Sequence, residues 1–237
     1  MSDPARPEAG LTEDGRPRQV VTSYARRGSR LNDPQQRAWD AYGARWVVPG
    51  ETVTVEGWEP ERWFGRRAPI LVEVGSGGGE SLVAMAAARP EYDVLALEVW
   101  RPGVAATLRR LAEAGVDNVR LLMLDAAWFF EHRVPEGSLA EVWTFFPDPW
   151  PKKRHLKRRL VSARFAALVA DALEPGGRWR LATDWVDYAE HVENQVALEP
   201  RLRGGRTERW QERPMTRFER RGVAADRPPI DLCYERV

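Results

Sequence analysis

The sequence predicts a doubly wound α/β fold, a parallel sheet with helices on both faces. Three observations predict it. Apolar runs of strand length recur between residues 70 and 182, amphipathic stretches of helical period separate most of them, and a glycine-rich loop follows the first run.

In chain order, residues 1–22 mix Pro, Gly and charges of both signs and are expected to form a disordered leader. Residues 23–237 are expected to form a single domain that opens with a basic arm over 23–69. Arg26, Arg27 and Arg30 cluster around Tyr24 in that arm, and Pro49–Pro69, rich in Gly, Pro and Glu, reads as loop. Strands follow at Ile70–Val74, Val94–Val99, Val119–Leu124, Val142–Phe146 and Trp179–Ala182. Ser81–Ala88, Val104–Ala114 and Phe165–Leu173 carry the helical period, and Ala126–His132 is a shorter helical piece. Pro175-Gly176-Gly177 stops the last of these helices and turns into the fifth strand, while Ile230–Arg236 forms one more strand after the Pro228-Pro229 break.

Composition narrows the class. A single cysteine, Cys233, excludes an internal disulfide and offers no cysteine cluster for a metal, so no metal is expected. No stretch is long and apolar enough to span a bilayer, and Met1–Pro17 lacks the apolar region of a secretory signal. A cytoplasmic protein without a membrane partner is therefore expected. Net charge is +1, so no global basic field announces nucleic acid. Distribution says more: of 36 basic residues only Lys152, Lys153 and Lys157 are lysines, all within one short segment. A site wanting a flexible ammonium rather than a planar guanidinium explains that placement.

In doubly wound sheets ligands sit beyond the carboxyl ends of the strands. An acid stands at each of five such ends: Glu73, Glu98, Asp125, Asp148 and Asp184. Asp125 and Asp184 are each open to a second reading as caps of the helices that follow. Together the five read as the rim of a polar ligand site. The loop Gly75-Ser76-Gly77-Gly78-Gly79 allows close backbone approach to an adenosine ligand, and Glu98 lies where an acid accepts ribose hydroxyls. Glu73 discriminates between ligands. It would repel the pyrophosphate of a dinucleotide but attract the ammonium and sulfonium of S-adenosylmethionine.

The most informative segment runs from Phe145 to Arg159, Phe-Phe-Pro-Asp-Pro-Trp-Pro-Lys-Lys-Arg-His-Leu-Lys-Arg-Arg. Its prolines stiffen the chain as it leaves a strand. Asp148 is then placed to pair with the donor edge of a purine, Trp150 to stack on a base, and the basic tail to engage phosphates.

This loop, together with Glu73-Val74-Gly75-Ser76-Gly77-Gly78-Gly79, resembles the bacterial tRNA (guanine-N7-)-methyltransferase family. The likeness continues at Ala182-Thr183-Asp184-Trp185, at Tyr188-Ala189-Glu190-His191 and from Arg213 to Gly222, and includes Arg26–Leu31 with Gln35-Gln36-Arg37. It implies a Rossmann-like, seven-stranded sheet of the class I S-adenosylmethionine-dependent methyltransferase type. It also implies methyl transfer to N7 of the variable-loop guanine of tRNA, by a monomer or homodimer. Carried over by position, it makes Glu73, Glu98, Asp125 and Asp148 cofactor-binding acids, beside Gly75 and Gly77 of the loop. It makes Asp148 the catalytic residue, and Lys152, Asp184 and Thr216, Arg217, Phe218 and Glu219 substrate-binding. The residues themselves read Thr216–Glu219 as a capping box. Two departures stand out: Trp100 replaces a common histidine, and Val223–Pro229 lacks the Gly and His residues usual there.

Guanine N7 carries a lone pair and no proton, so methylating it needs no general base, and catalysis should come from positioning. A nicotinamide dehydrogenase is opposed by Glu73. Another RNA methyltransferase on the same fold stays open, as does a non-catalytic RNA-binding protein, although the latter would be expected to have lost some of the acids. A small-molecule methyltransferase would leave Lys152–Arg159 without a purpose.

Overall fold

A computed structural model describes residues 23, 24 and 28–237; the leader and Arg26 and Arg27 of the arm lie outside the described residues. Among the described residues, eight strands form one sheet: β1 (Val47–Val48), β2 (Ile70–Val74), β3 (Asp93–Leu97), β4 (Val119–Leu122), β5 (Leu139–Phe145), β6 (Leu173–Thr183), β7 (Leu202–Thr207) and β8 (Ile230–Arg236). Their order is β1-β4-β3-β2-β5-β6-β8-β7. Pairing is parallel from β1 to β6, and β8 runs antiparallel to both of its neighbours. Strand order reverses between β2 and β5, which opens a crevice at their carboxyl ends.

The helices are α1 (Asp33–Trp46), α2 (Gly50–Glu56), α3 (Pro60–Phe64), α4 (Glu80–Ala87), α5 (Arg101–Ala114), α6 (Ala126–His132), α7 (Ala163–Ala172), α8 (Val186–Val196) and α9 (Arg217–Ala224). A 3-10 helix spans Lys153–Arg158. Successive strand residues point to opposite faces. Leu71 and Trp143 accordingly join a core with α4, α5 and Trp46 of α1, whereas Val72 and Val142 join another with α6, α7 and α8. Burial on both faces explains why the central strands read as unbroken apolar runs. Among the described residues no helix is long and apolar enough to cross a membrane.

Several features differ from expectation. The seven expected strands become eight, because Val47 and Val48 pair with Leu121 and Leu122 as a two-residue edge. Pro49–Pro69 is not simply loop: α2 and α3 form there, each too short to persist alone, held by burial of Val53 and Trp63. The arm also contains the 14-residue α1. Asn32 and Gln35 cap it reciprocally, each side chain accepting the other's amide at 3.0 Å, with Pro34 in the first turn. Asn-Asp-Pro-Gln was the signal for this helix. Similarly, Tyr188, Ala189, Val192 and Val196 bury one face of α8 at helical spacing. β7 carries no such pattern, with Gly204 and Gly205 at its centre and only Leu202 buried.

Candidate active site

A cavity of about 620 Å³ lies in the crevice at the ends of β2 and β5. Its floor is the glycine loop. The Gly75 amide donates to Leu97 O of β3 at 2.8 Å, and the Gly77 amide to Glu98 Oε2 at 2.7 Å. Glu98 Oε1 accepts the Trp100 amide at 2.8 Å, so one carboxylate ties the loop to the start of α5. Two glycines permit this packing. Gly79 has φ +74°, and a Cβ there would lie 2.6 Å from Thr107; a Cβ on Gly103 would lie 2.5 Å from Gly77 O. The Trp100 indole donates to Gly28 O at 3.1 Å and holds the arm to this corner.

Glu73 lines the cavity with only 3% of its surface exposed, and its Oε2 has no hydrogen-bond partner among the described residues. Burial, and then the negative charge of Glu98, push its carboxyl up to about 8. Ser76 Oγ, also at the cavity, is buried and equally unpartnered. Orphaned buried polar atoms are costly, and a cationic ligand carrying hydrogen-bond donors fits them. This donor set therefore suits the methionyl end of S-adenosylmethionine.

Asp125 and Asp184 part company. Asp125 Oδ1 accepts the Trp128 amide at 3.0 Å as N-cap of α6. Burial pushes its carboxyl up against the opposing pull of the Trp128 and Ala127 amides. Its neighbours Leu124 and Ala126 line the cavity. Asp184 caps nothing, because Trp185 holds the N-cap position of α8; instead it lies buried at the cavity and accepts Arg227 Nε at 3.1 Å.

The loop after β5 brings Asp148 to the cavity wall through a contorted backbone. Phe146 (φ 50°) and Trp150 (φ 45°) both occupy the left-handed region. Such strain persists only where the surroundings impose it. Here the Phe146 amide donates to Ala182 O at 2.7 Å, and Arg159 Nε to Pro149 O at 2.9 Å. Arg159 is buried, paired with Asp187 and 5.2 Å from the Tyr188 ring, so it braces the loop instead of meeting phosphate. Trp150 does not line the cavity as a base-stacking ring would. Arg158 lies 3.6 Å over it, and its indole donates to Ser23 O at 2.8 Å. Arg158 also donates to Tyr24 O at 2.7 Å. Exposed aromatic rings in the cavity wall come instead from Trp185 and Phe218. Trp185 had only its place after Asp184 to signal it. Lys152, Lys153 and Lys157 are exposed on the turn that leaves the loop.

Of the segment Thr216–Glu219, the structure brings Thr216 and Phe218 to the cavity. Phe218 packs 5.2 Å from Phe146. Thr216 caps α9, its hydroxyl accepting the Glu219 amide at 3.1 Å. The reciprocal half of the expected capping box is not made. The Glu219 carboxylate is buried and accepts Arg209 Nε at 2.8 Å and Arg213 at 2.7 Å, while Arg213 also reaches Asp231 at 2.7 Å. Glu219 thus faces the interior, where it neutralises a buried guanidinium. Arg217 is exposed. Among the described residues no group of three or more His, Cys, Asp or Glu is placed to hold a metal.

A family model described as "Putative methyltransferase" matches residues 67–232. The tRNA (guanine-N(7)-)-methyltransferase of Nocardioides sp. (strain ATCC BAA-499 / JS614) is 58% identical over 233 residues, covering 98% of this chain and 94% of its own. The enzyme of that name from Cutibacterium acnes (strain DSM 16379 / KPA171202) is 43% identical, over 97% and 88% of the two chains. Among solved structures, the 16S rRNA methyltransferase KamB superposes with a TM-score of 0.55 at 18% identity, over 75% of this chain and 92% of that one, a likeness of fold.

Proposed function

Since the chain belongs to the tRNA (guanine-N7-)-methyltransferase family, we propose that its cavity holds S-adenosylmethionine against Glu73 and receives the variable-loop guanine of tRNA beside Asp148 and Asp184. The observation that carries this reading is the buried Glu73 carboxylate, with one oxygen lacking any partner among the described residues. When bound, S-adenosylmethionine supplies the methyl group, together with an ammonium and a sulfonium that a carboxylate attracts. Glu73 and Ser76 hold the methionyl end, and Gly75 and Gly77 let the backbone come close. Glu98 serves the ribose from the place where it already shapes the loop. Asp125 stands at the adenine end, carried by a turn whose neighbours line the cavity.

On the acceptor side no residue needs to remove a proton, because guanine N7 has none. The chain instead has to orient the base, and orientation alone supplies up to ~7–11 kcal/mol. Asp148 and Asp184 accept from the donor edge of guanine. They also place negative charge beside a ring that becomes cationic once methylated, and being held in place they need no reorganisation. Phe218 and Trp185 offer the exposed aromatic surface for the base. Lys152, Lys153 and Lys157 meet the phosphates that flank it.

The test is incubation of unmodified tRNA with methyl-labelled S-adenosylmethionine, followed by nucleoside analysis. Label is expected in 7-methylguanosine from the variable loop. Label in any other nucleoside, or none, would overturn the reading.

A further inference from the structure

Glu80 begins α4 directly after the glycine loop and lines the cavity. Its carboxylate reaches α9, 137 positions along the chain. The Arg217 amide donates to both of its oxygens, at 3.0 and 3.1 Å, and the Arg220 guanidinium lies 3.4 Å from Oε1. The first amides of a helix have no partner inside it. In α9 the Thr216 hydroxyl serves the Glu219 amide, and Glu80 serves that of Arg217, the first helical residue. A carboxylate there also meets the positive end of the helix dipole. The contact therefore joins the loop proposed to carry the methyl donor to the segment proposed to face the acceptor.

We propose that Glu80 is a positioning residue for methyl transfer: it keeps Thr216 and Phe218 in register with the glycine loop. The inference rests on the reading of Thr216–Phe218 as part of the acceptor side. The fold of the segment does not depend on Glu80, because Glu219 anchors it from beneath through Arg209 and Arg213. Loss of Glu80 should therefore loosen the register and leave the domain folded.

The experiment compares Glu80→Ala, Glu80→Gln and Phe218→Ala for kcat, for KM toward tRNA and for S-adenosylhomocysteine affinity. Small misplacements at a reacting centre reduce rates by up to about a hundredfold, so Glu80→Ala should lower kcat/KM at least about tenfold. Its affinity for S-adenosylhomocysteine should stay within about threefold of wild type, less than half the factor of ten on a logarithmic scale. Glu80→Gln should recover most of the activity, since its amide oxygen still accepts from Arg217. Wild-type kcat/KM in Glu80→Ala, an equal loss of S-adenosylhomocysteine affinity, or no rescue by glutamine would each overturn the proposal. Phe218→Ala tests the underlying reading separately, and unaltered turnover there would overturn the acceptor-side assignment itself.

A second route removes the donor. Proline suits the first helical position, and Thr216, with ψ 164°, is extended enough to precede it. Arg217→Ala keeps the amide and Arg217→Pro deletes it. Glu80→Ala should add its loss to Arg217→Ala but add nothing to Arg217→Pro. Equal additions in both backgrounds would show that Glu80 does not act through that amide.

Discussion

Glu98 and Gly77 are joined by a 2.7 Å hydrogen bond, in which the glycine amide donates to one oxygen of the carboxylate while the other oxygen holds the Trp100 amide. The acid proposed to receive ribose hydroxyls is thus also the acid that shapes the loop below them.

Removing Glu98 should therefore have two effects. Glu98→Ala is expected to cost about 1–3 kcal/mol of stability, because two amides lose a charged acceptor. It should also weaken S-adenosylhomocysteine binding. Denaturant melts and calorimetry measure the two separately, and unchanged stability with weaker binding would mean that the loop does not rely on this carboxylate.

Glu73 predicts a pH dependence with a definite sign. Its carboxyl is raised to about 8 in the folded chain from an ordinary value of 4.5. Between those limits the folded state binds more protons than the unfolded state, so this group makes stability fall as pH rises from about 4.5 to about 8. Glu73→Gln should remove that slope and melt above wild type near pH 8. A bound cation favours the carboxylate, so binding within this range should release a proton. Calorimetry in buffers of different ionisation enthalpy reads that release, and identical heats would count against it. Loss of a charge-assisted contact should weaken binding in Glu73→Gln by roughly ten- to a hundredfold.

For the basic turn, Lys153→Ala combined with Lys157→Ala should weaken tRNA binding and make its salt dependence shallower by roughly one to two in log–log slope. S-adenosylhomocysteine affinity should stay constant. Arg159→Ala should behave differently, losing stability because its buried guanidinium braces Pro149 O and Asp187. A salt titration matching wild type for the lysine pair would reduce the turn to a solvated surface.

Arg213 is buried and answers two carboxylates, Glu219 and Asp231. Arg213→Ala leaves both acids inside with less compensation and should destabilise the fold by about 3–5 kcal/mol. Arg209→Ala should cost less, because Arg213 still pairs with Glu219. Chemical denaturation of the two variants checks the ranking.

Much of the fold was legible in the chain because buried parallel strands write themselves as continuous apolar runs. Ile70–Val74 and Ile230–Arg236 have the expected bounds, and Val119 opens β4 as expected. Elements stabilised mainly by what they dock against were not legible: the two-residue β1, the short α2 and α3, and the glycine-centred β7. In the site, the acids at strand ends were visible by position. Which of them is already engaged was not, since the bonds of Asp125 to Trp128 and of Asp184 to Arg227 are facts of geometry. Trp150 misleads for the same reason, because the partner that covers its ring, Arg158, is chosen by a turn. The Glu80–Arg217 and Arg213–Asp231 contacts join distant segments and leave no local pattern.

A guanine whose N7 accepts the methyl group, held by its Watson–Crick edge, needs no base. Transfer RNA carrying 7-deazaguanine at the variable-loop position keeps that edge and the stacking faces but loses the nucleophilic lone pair. The measurement is methyl transfer from labelled S-adenosylmethionine to this tRNA, alongside its binding affinity. Binding is expected to stay close to that of the unsubstituted tRNA, with no transfer of label at that position. Transfer at the normal rate would contradict the N7 assignment, and loss of binding would contradict recognition through the edge that Asp148 and Asp184 are proposed to hold.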